Sequence, residues 1–157
     1  MTALDVITLE QAKAELVMTG ISDRDAEITR LIQTAIGWVE QYTCYRLYER
    51  VETFIAYGCE TVLPYYPITI DGVDHDGSAY ANYKEKFLPL GLRIICPSQS
   101  TITATVGYSD VGEIPAPLIE AAYKLITYLF ENKDVYSVQL PVDVQILINQ
   151  YRRSPTI

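Results

Sequence analysis

Between residues 8 and 43 the apolar positions recur at helical spacing. Thr8 and Gln11 stand at capping-box distance, Leu9, Ala12 and Leu16 share one face, and Gly20 ends this first short helix. Ser22 opens a second helix, with Asp23 and Asp25 near the positive end of its dipole, and the pattern holds to Thr43. Ile28, Leu31, Ile32, Ala35, Val39 and Tyr42 form the stripe, while Arg24, Glu27, Arg30, Gln33 and Gln41 occupy other faces. Trp38 lies at the stripe's edge and reads as packing. The stripe itself reads as core, not as a cofactor surface.

From Tyr48 to Tyr108 the periodicity changes to short β-branched and aromatic runs broken by Pro, Gly and Asp, which predicts antiparallel strands. The expected strands are Val51 to Ala56, Thr61 to Leu63, Ile68 to Val73, Leu92 to Cys96 and Thr101 to Val106. Asp71-Gly72 and Asp76-Gly77 read as turn dipeptides, and Pro64, Pro67, Pro89 and Pro97 mark edges or strand ends. Gly77 to Pro89 reads as a long hairpin loop.

Helical spacing returns after Pro115 and Pro117, which suit a first turn whose amides lack partners in any case. Leu118, Ala121, Ala122, Leu125, Ile126, Leu129 and Phe130 cover more than one face, so this helix is expected to be covered on two sides. A loop through Asn132, Lys133 and Asp134 leads to a last helix opened by Pro141, with Val144, Leu147, Ile148 and Tyr151 in a stripe. Arg152 and Arg153 follow at its negative end, and residues 152–157 are expected to form a mobile tail. The prediction is a single α+β domain over residues 1–157, mainly helical: two N-terminal helices, a central antiparallel β region and two C-terminal helices.

Composition narrows the partners. A chain of 157 residues can enclose a core without disulfides or metal. Its 20 acidic and 12 basic side chains give a net charge of -8, which repels a polyanion and argues against tight nonspecific nucleic-acid binding. The 13 tyrosines suit surfaces that are part apolar and part wet, including those where subunits meet. Cys44, Cys59 and Cys96 are an odd number without a CxxC pair, as in a reducing compartment. Met1 to Val6 lacks the marks of a signal peptide, and no run approaches the ~18 apolar residues of a membrane span, so a cytosolic setting and no membrane partner are expected.

Candidate chemistry concentrates in one turn. Asp74, Asp76, Ser78, Tyr80, Asn82 and Glu85 fall at positions 1, 3, 5, 7, 9 and 12 of an EF-hand calcium loop, and their oxygens suit a hard cation. Ala79, however, stands where that loop needs glycine, and a strand leads in, so the residues read as a solvated hairpin. His75, the single histidine, lies between two carboxylates; two-imidazole metal sites are excluded, and a solvated turn residue is preferred to a base. The glycines show no phosphate-cradling motif. No catalytic residue, cofactor or metal is assigned.

The order and local wording of nearly the whole chain resemble the head-tail connector, or adaptor, family of tailed bacteriophages and prophages. The resemblance begins with Ile7-Thr8-Leu9-Glu10-Gln11-Ala12-Lys13 and Trp38-Val39-Glu40-Gln41-Tyr42-Thr43, then Leu63-Pro64-Tyr65-Tyr66-Pro67-Ile68 before a strand. It continues through Ala104-Thr105-Val106-Gly107-Tyr108, Ile114-Pro115-Ala116-Pro117-Leu118 and Tyr128-Leu129-Phe130-Glu131-Asn132-Lys133 to Leu147-Ile148-Asn149-Gln150-Tyr151-Arg152. Two departures stand out: Cys44 where a glycine would end the long helix, and the loop from Gly72 to Leu90, for which the family offers no role.

The resemblance implies a non-enzymatic virion assembly protein in the neck. It would form a roughly twelvefold homo-oligomeric ring beneath the portal, closed by head-to-tail contacts, that extends the DNA channel and meets head-completion or tail proteins. Assembly would take place in the host bacterial cytoplasm, and DNA would pass an acidic ring without specific binding. Leu147, Ile148, Tyr151, Arg152 and Arg153 become candidates for docking on the portal, the alternative being that the last helix packs on its own domain. The rival readings are another neck or tail-completion protein and a small metal-dependent or hydrolytic enzyme working at Asp74, His75 or Asp76.

Overall fold

The computed structural model describes residues 2–89, 91–132 and 140–152. The chain is α+β, with five α-helices and two antiparallel sheets among those residues. Helices α1 (Ala3–Val6), α2 (Leu9–Glu15) and α3 (Asp25–Thr43) precede seven strands, and α4 (Ala116–Glu131) and α5 (Val142–Ile148) follow them. Three helices therefore lead where two are predicted, because α1 is a single turn, too short to show a period. It is held by Asp5, whose Oδ2 accepts from the Thr2 amide at 2.6 Å.

The capping box at α2 forms as read: the Gln11 amide donates to Thr8 Oγ1 at 3.2 Å and the Thr8 amide to Gln11 Oε1 at 2.9 Å. The helix stops well before Gly20, since Leu16 caps it and Val17 turns to a φ of 56°. Helix α3 starts at Asp25, three residues after Ser22, and the Asp25 carboxylate lies 2.8 Å from Lys13 Nζ on α2. At its other end Cys44 takes the left-handed position, φ 62°, that a glycine usually fills, and its amide bonds the Glu40 carbonyl.

The inward face of α3 carries Ile28, Ile32, Ala35, Val39 and also Ile36, which the predicted stripe omits. It packs in one cluster with Leu118, Ala121, Ala122, Leu125 and Ile126 of α4 and with Val144 and Ile148 of α5. Each such Ile or Leu, fully removed from water, contributes about 1.5–3 kcal/mol. Helix α4 contacts α3, α5 and α2, which explains its apolar residues on more than one face. Trp38 is half-buried against the same core.

The strands form a second, smaller unit, so beside the expected helices the chain has two halves with separate cores. Strands β1 (Arg50–Ile55), β7 (Thr101–Val106), β3 (Ile68–His75) and β4 (Ser78–Ala79) make one sheet in that order; β2 (Glu60–Leu63), β6 (Gly91–Ile95) and β5 (Lys84–Leu88) make the other. Their inner faces share a core of Leu63, Leu92 and Ile94 from one sheet with Ile68, Val73, Ile102, Ala104 and Val106 from the other. The five predicted strands lie within a residue or two of those observed. The predicted loop from Gly77 to Pro89 contains β4 and β5 instead. Strand β5, Lys-Glu-Lys-Phe-Leu, is an edge strand, and its charges hid the period-2 signal. Asp71-Gly72 is a bulge inside β3, not a turn, whereas Asp76-Gly77 is a tight turn with φ of 51° and 75°. Lys133, Asp134 and residues 153–157, and with them the predicted loop and most of the tail, lie outside the described residues.

Candidate functional site

The acidic turn does not assemble as a calcium loop. Asp74 pairs with Ala79 and His75 with Ser78 across the β3–β4 hairpin, so the alternate positions of the motif run along extended strands instead of curling around a centre. Tyr80 turns in against the β core, Asn82 is exposed, and Glu85 belongs to β5 in the other sheet, opposite Ile94. Among the described residues no group of three or more His, Cys, Asp or Glu side chains is placed to hold a metal ion.

His75 is half-buried, not a freely solvated turn residue, with Tyr80 edge-on at 6.4 Å between ring centroids. Its Nδ1 lies 3.4 Å from Ser100 Oγ and its Nε2 3.5 Å from Asp76 Oδ2. Those three residue types could suggest nucleophilic chemistry, but Ser100 is fully buried and its hydroxyl donates to the Pro97 carbonyl at 2.8 Å. The hydroxyl therefore ties down the turn before β7 and is not presented to a substrate.

The strongest electrostatic constellation joins the two halves. Glu40, on the last turn of α3, is buried and accepts from both terminal nitrogens of Arg50 on β1, at 3.1 and 2.8 Å, and from the Leu47 amide at 2.8 Å. Arg50 Nε also donates to Glu52 at 2.7 Å, and Arg46 reaches Glu52 at 3.2 Å while stacking 4.1 Å above the Tyr65 ring. Burial opposes the charge on Arg50, but the bonds from Glu40 and Glu52 outweigh it and hold the guanidinium ionised more firmly than usual. Sequence reasoning missed this cluster. Its signal was an acid, Glu40, four residues after Ile36 on the apolar face, where a carboxylate must be paired to be tolerated.

At the C-terminal end the predicted stripe turns inward. Ile148 is fully buried in the helical core, and Leu147 and Tyr151 are partly buried against it. Tyr151 sits edge-on to Tyr45, Arg152 lies 5.0 Å above the Tyr42 ring, and Tyr42 donates to Asn149 at 2.7 Å. The opposite side of α5 shows Val142 and Ile146 to solvent. Arg153 lies outside the described residues. The β half also leaves apolar side chains exposed, including Val51, Ile55, Tyr57, Val62, Phe87 and Ile95.

No protein-family model and no curated protein matches the chain. Solved structures do match its fold. A chain in the neck of an empty gene transfer agent particle, computed with C6 symmetry, superposes with a TM-score of 0.78 at 20% identity, over 100% of this chain and 95% of that one. A chain in the virion of a native gene transfer agent particle gives 0.78 at 17% identity, over 97% and 92%. A third, in the neck of a native particle computed with C12 symmetry, gives 0.72 at 18% identity, over 100% and 95%. The α+β fold is thus shared, over nearly the whole length, with chains of gene transfer agent particles.

Proposed function

We propose that the chain is a structural subunit of the neck of a tailed phage, prophage or related particle, and that its copies form a ring beneath the portal. The ring would join the DNA-filled head to the tail and extend the DNA channel, with head-completion or tail proteins as further partners. The observation that carries this reading is the full-length match in fold to neck chains whose structures were computed with C6 and C12 symmetry. The net charge of -8 supports passage of DNA without adhesion. No bond-making step, cofactor or metal is part of the proposal. Assembly would take place in the host cytoplasm and the final location is the virion neck.

Attachment to the portal is assigned to the C-terminal segment: Leu147, Ile148, Tyr151, Arg152 and Arg153. Ile148 supports this indirectly, since its burial anchors the segment that carries the others. Because Tyr151 packs on Tyr45 and Arg152 on Tyr42 of α3, the milder variants are removal of residues 153–157 and Arg152→Glu, not a cut at Gln150. Electron microscopy of the purified chain with and without its portal tests the whole reading. Annular assemblies on the portal are expected for the intact chain, and loss of co-purification for the variants. A chain that forms no ring in either condition refutes the ring; variants that still bind refute the docking segment. A different neck or tail-completion role with the same fold would show as attachment to the ring's far side instead.

A further inference from the structure

The β half offers two outward sheet faces that differ in chemistry. On the four-stranded sheet the pairing puts Val51, Thr53 and Ile55 of β1 level with Thr105, Thr103 and Thr101 of β7, and Thr69, Gly72 and Asp74 of β3 beyond them. The bulged Asp71 is on this side too, because its carboxylate accepts from Thr105 Oγ1 at 2.8 Å. Val51 is 66% exposed and Ile55 52%, and the strands contribute no basic side chain to this face. It is a flat β-branched surface with an acidic margin.

The three-stranded sheet turns the other way. Its outer face carries Glu60 and Val62 of β2, Arg93 and Ile95 of β6, and Lys84 and Lys86 of β5, all in register. Val62 and Ile95 are again exposed, but here three basic side chains stand against one acid, and Arg93 already pairs with Glu60. Lys84 and Lys86 are therefore surplus cations at the edge of a strongly acidic molecule. The inner faces of the two sheets share one core, so these outer faces point in nearly opposite directions.

We infer that these two faces are the two sides of the contact between neighbouring copies of this chain, Lys84 and Lys86 of one copy meeting Asp71 and Asp74 of the next across a centre of Val51 and Ile55 against Val62 and Ile95. The inference rests on the ring reading and deepens it by naming the surfaces. Two features select a second copy as the occupant. A twofold dimer uses one patch twice, which would set Lys84 and Lys86 against themselves; a head-to-tail ring of many copies needs two different patches on nearly opposite sides of the subunit, as here. Opposite charge on the two patches then sets the direction of assembly and disfavours the like-face pairing.

Charge reversal tests it. Lys84→Glu with Lys86→Glu makes both faces acidic, and Asp71→Lys with Asp74→Lys makes both basic. Each protein alone should associate at least about tenfold more weakly than the parent chain in ~0.15 M salt. An equimolar mixture should recover rings, because copies that alternate around the ring again set opposite charges face to face. Native mass spectrometry reads both states, and thermal unfolding checks that each variant folds; if a double variant melts early, the single changes Lys86→Glu and Asp74→Lys replace it. Rings from either folded variant alone, or a mixture that stays dissociated, would overturn the inference while leaving the ring intact. A parent chain that makes no ring, alone or on a portal, would remove the ring reading itself and this contact with it.

Discussion

The helical half and the β half handle their apolar surface in opposite ways. In the helical half the predicted stripes are consumed internally: Ile28, Ile32, Ile36, Leu118, Leu125, Ile126 and Ile148 are essentially out of water. In the β half the inner faces are consumed, and Val51, Ile55, Val62 and Ile95 of the outer faces remain on view. Isolated exposed hydrophobes need no explanation, but residues in register on two opposed flat faces do. The comparison teaches where apolar surface is left over: in the helical half it is confined to the margins, as at Val142 and Ile146 of α5, whereas in the β half it lies in register across whole sheet faces.

The joint is where that division can be broken most severely. Glu40→Ala leaves the buried Leu47 amide and the terminal nitrogens of half-buried Arg50 without this acceptor, though Glu52 still holds Arg50 Nε, and should lower unfolding free energy by about 3 kcal/mol in chemical denaturation. Glu40→Gln, which keeps an acceptor for Leu47, should lose less. If both variants unfold like the parent, the two halves are held together by packing alone. If the transition of Glu40→Ala splits in two, the carboxylate is what makes the halves unfold as one.

Two glycines sharpen the contrast from the side of the backbone. Gly107 has φ +98°, and a Cβ there would lie 2.1 Å from the Tyr48 carbonyl oxygen, at the point where β7 leaves the sheet beside the joint. Gly107→Ala should therefore cost at least the ~1–3 kcal/mol of a strained backbone position, with displacement of Tyr48 added. Gly37, exposed in the middle of α3, meets nothing within 4 Å. Gly37→Ala should raise stability by about 0.5–1 kcal/mol, since it only improves helix propensity. Thermal unfolding of the two variants side by side gives opposite signs if the glycine at the joint is structural and the one on the helix is not.

How much of this was legible depended on what each segment had to satisfy. The capping box at Thr8, the inward faces of α3 and α4 and the five strands with one buried face were readable because burial imposes a period on them. Strand β5 was not, because neither of its faces is buried and so no period is imposed: Lys84, Glu85 and Lys86 read as loop polarity until a partner strand is known. In the Asp74 to Glu85 run residue type and spacing suited a cation, but Ala79 at the glycine position and the strand leading in pointed to a hairpin, and the tight Asp76-Gly77 turn spreads those oxygens over β3, β4 and β5. Glu40 was visible as an anomaly on an apolar face, but its partners Arg46 and Arg50 lie on a segment whose position only the fold provides.

The smallest expected effect on the fold is also the sharpest test of the division between halves. Val51→Thr with Ile55→Thr keeps β-branched side chains on β1 and extends the threonine ladder already formed by Thr53, Thr101, Thr103 and Thr105. Neither side chain contributes to a core, so unfolding should change by no more than about 0.5 kcal/mol. The same change removes the apolar centre of one sheet face, and the subunit concentration needed for rings should rise roughly tenfold, equivalent to ~1.4 kcal/mol. The converse pair in the helical half, Ile32→Thr with Ile126→Thr, buries two hydroxyls in a closed core and should cost several kcal/mol before any effect on assembly can be read. Equal sensitivity of folding to the two pairs would mean that the β faces are simply incomplete core. A β1 pair that is silent in unfolding yet weakens association means that those faces are shaped for a neighbour.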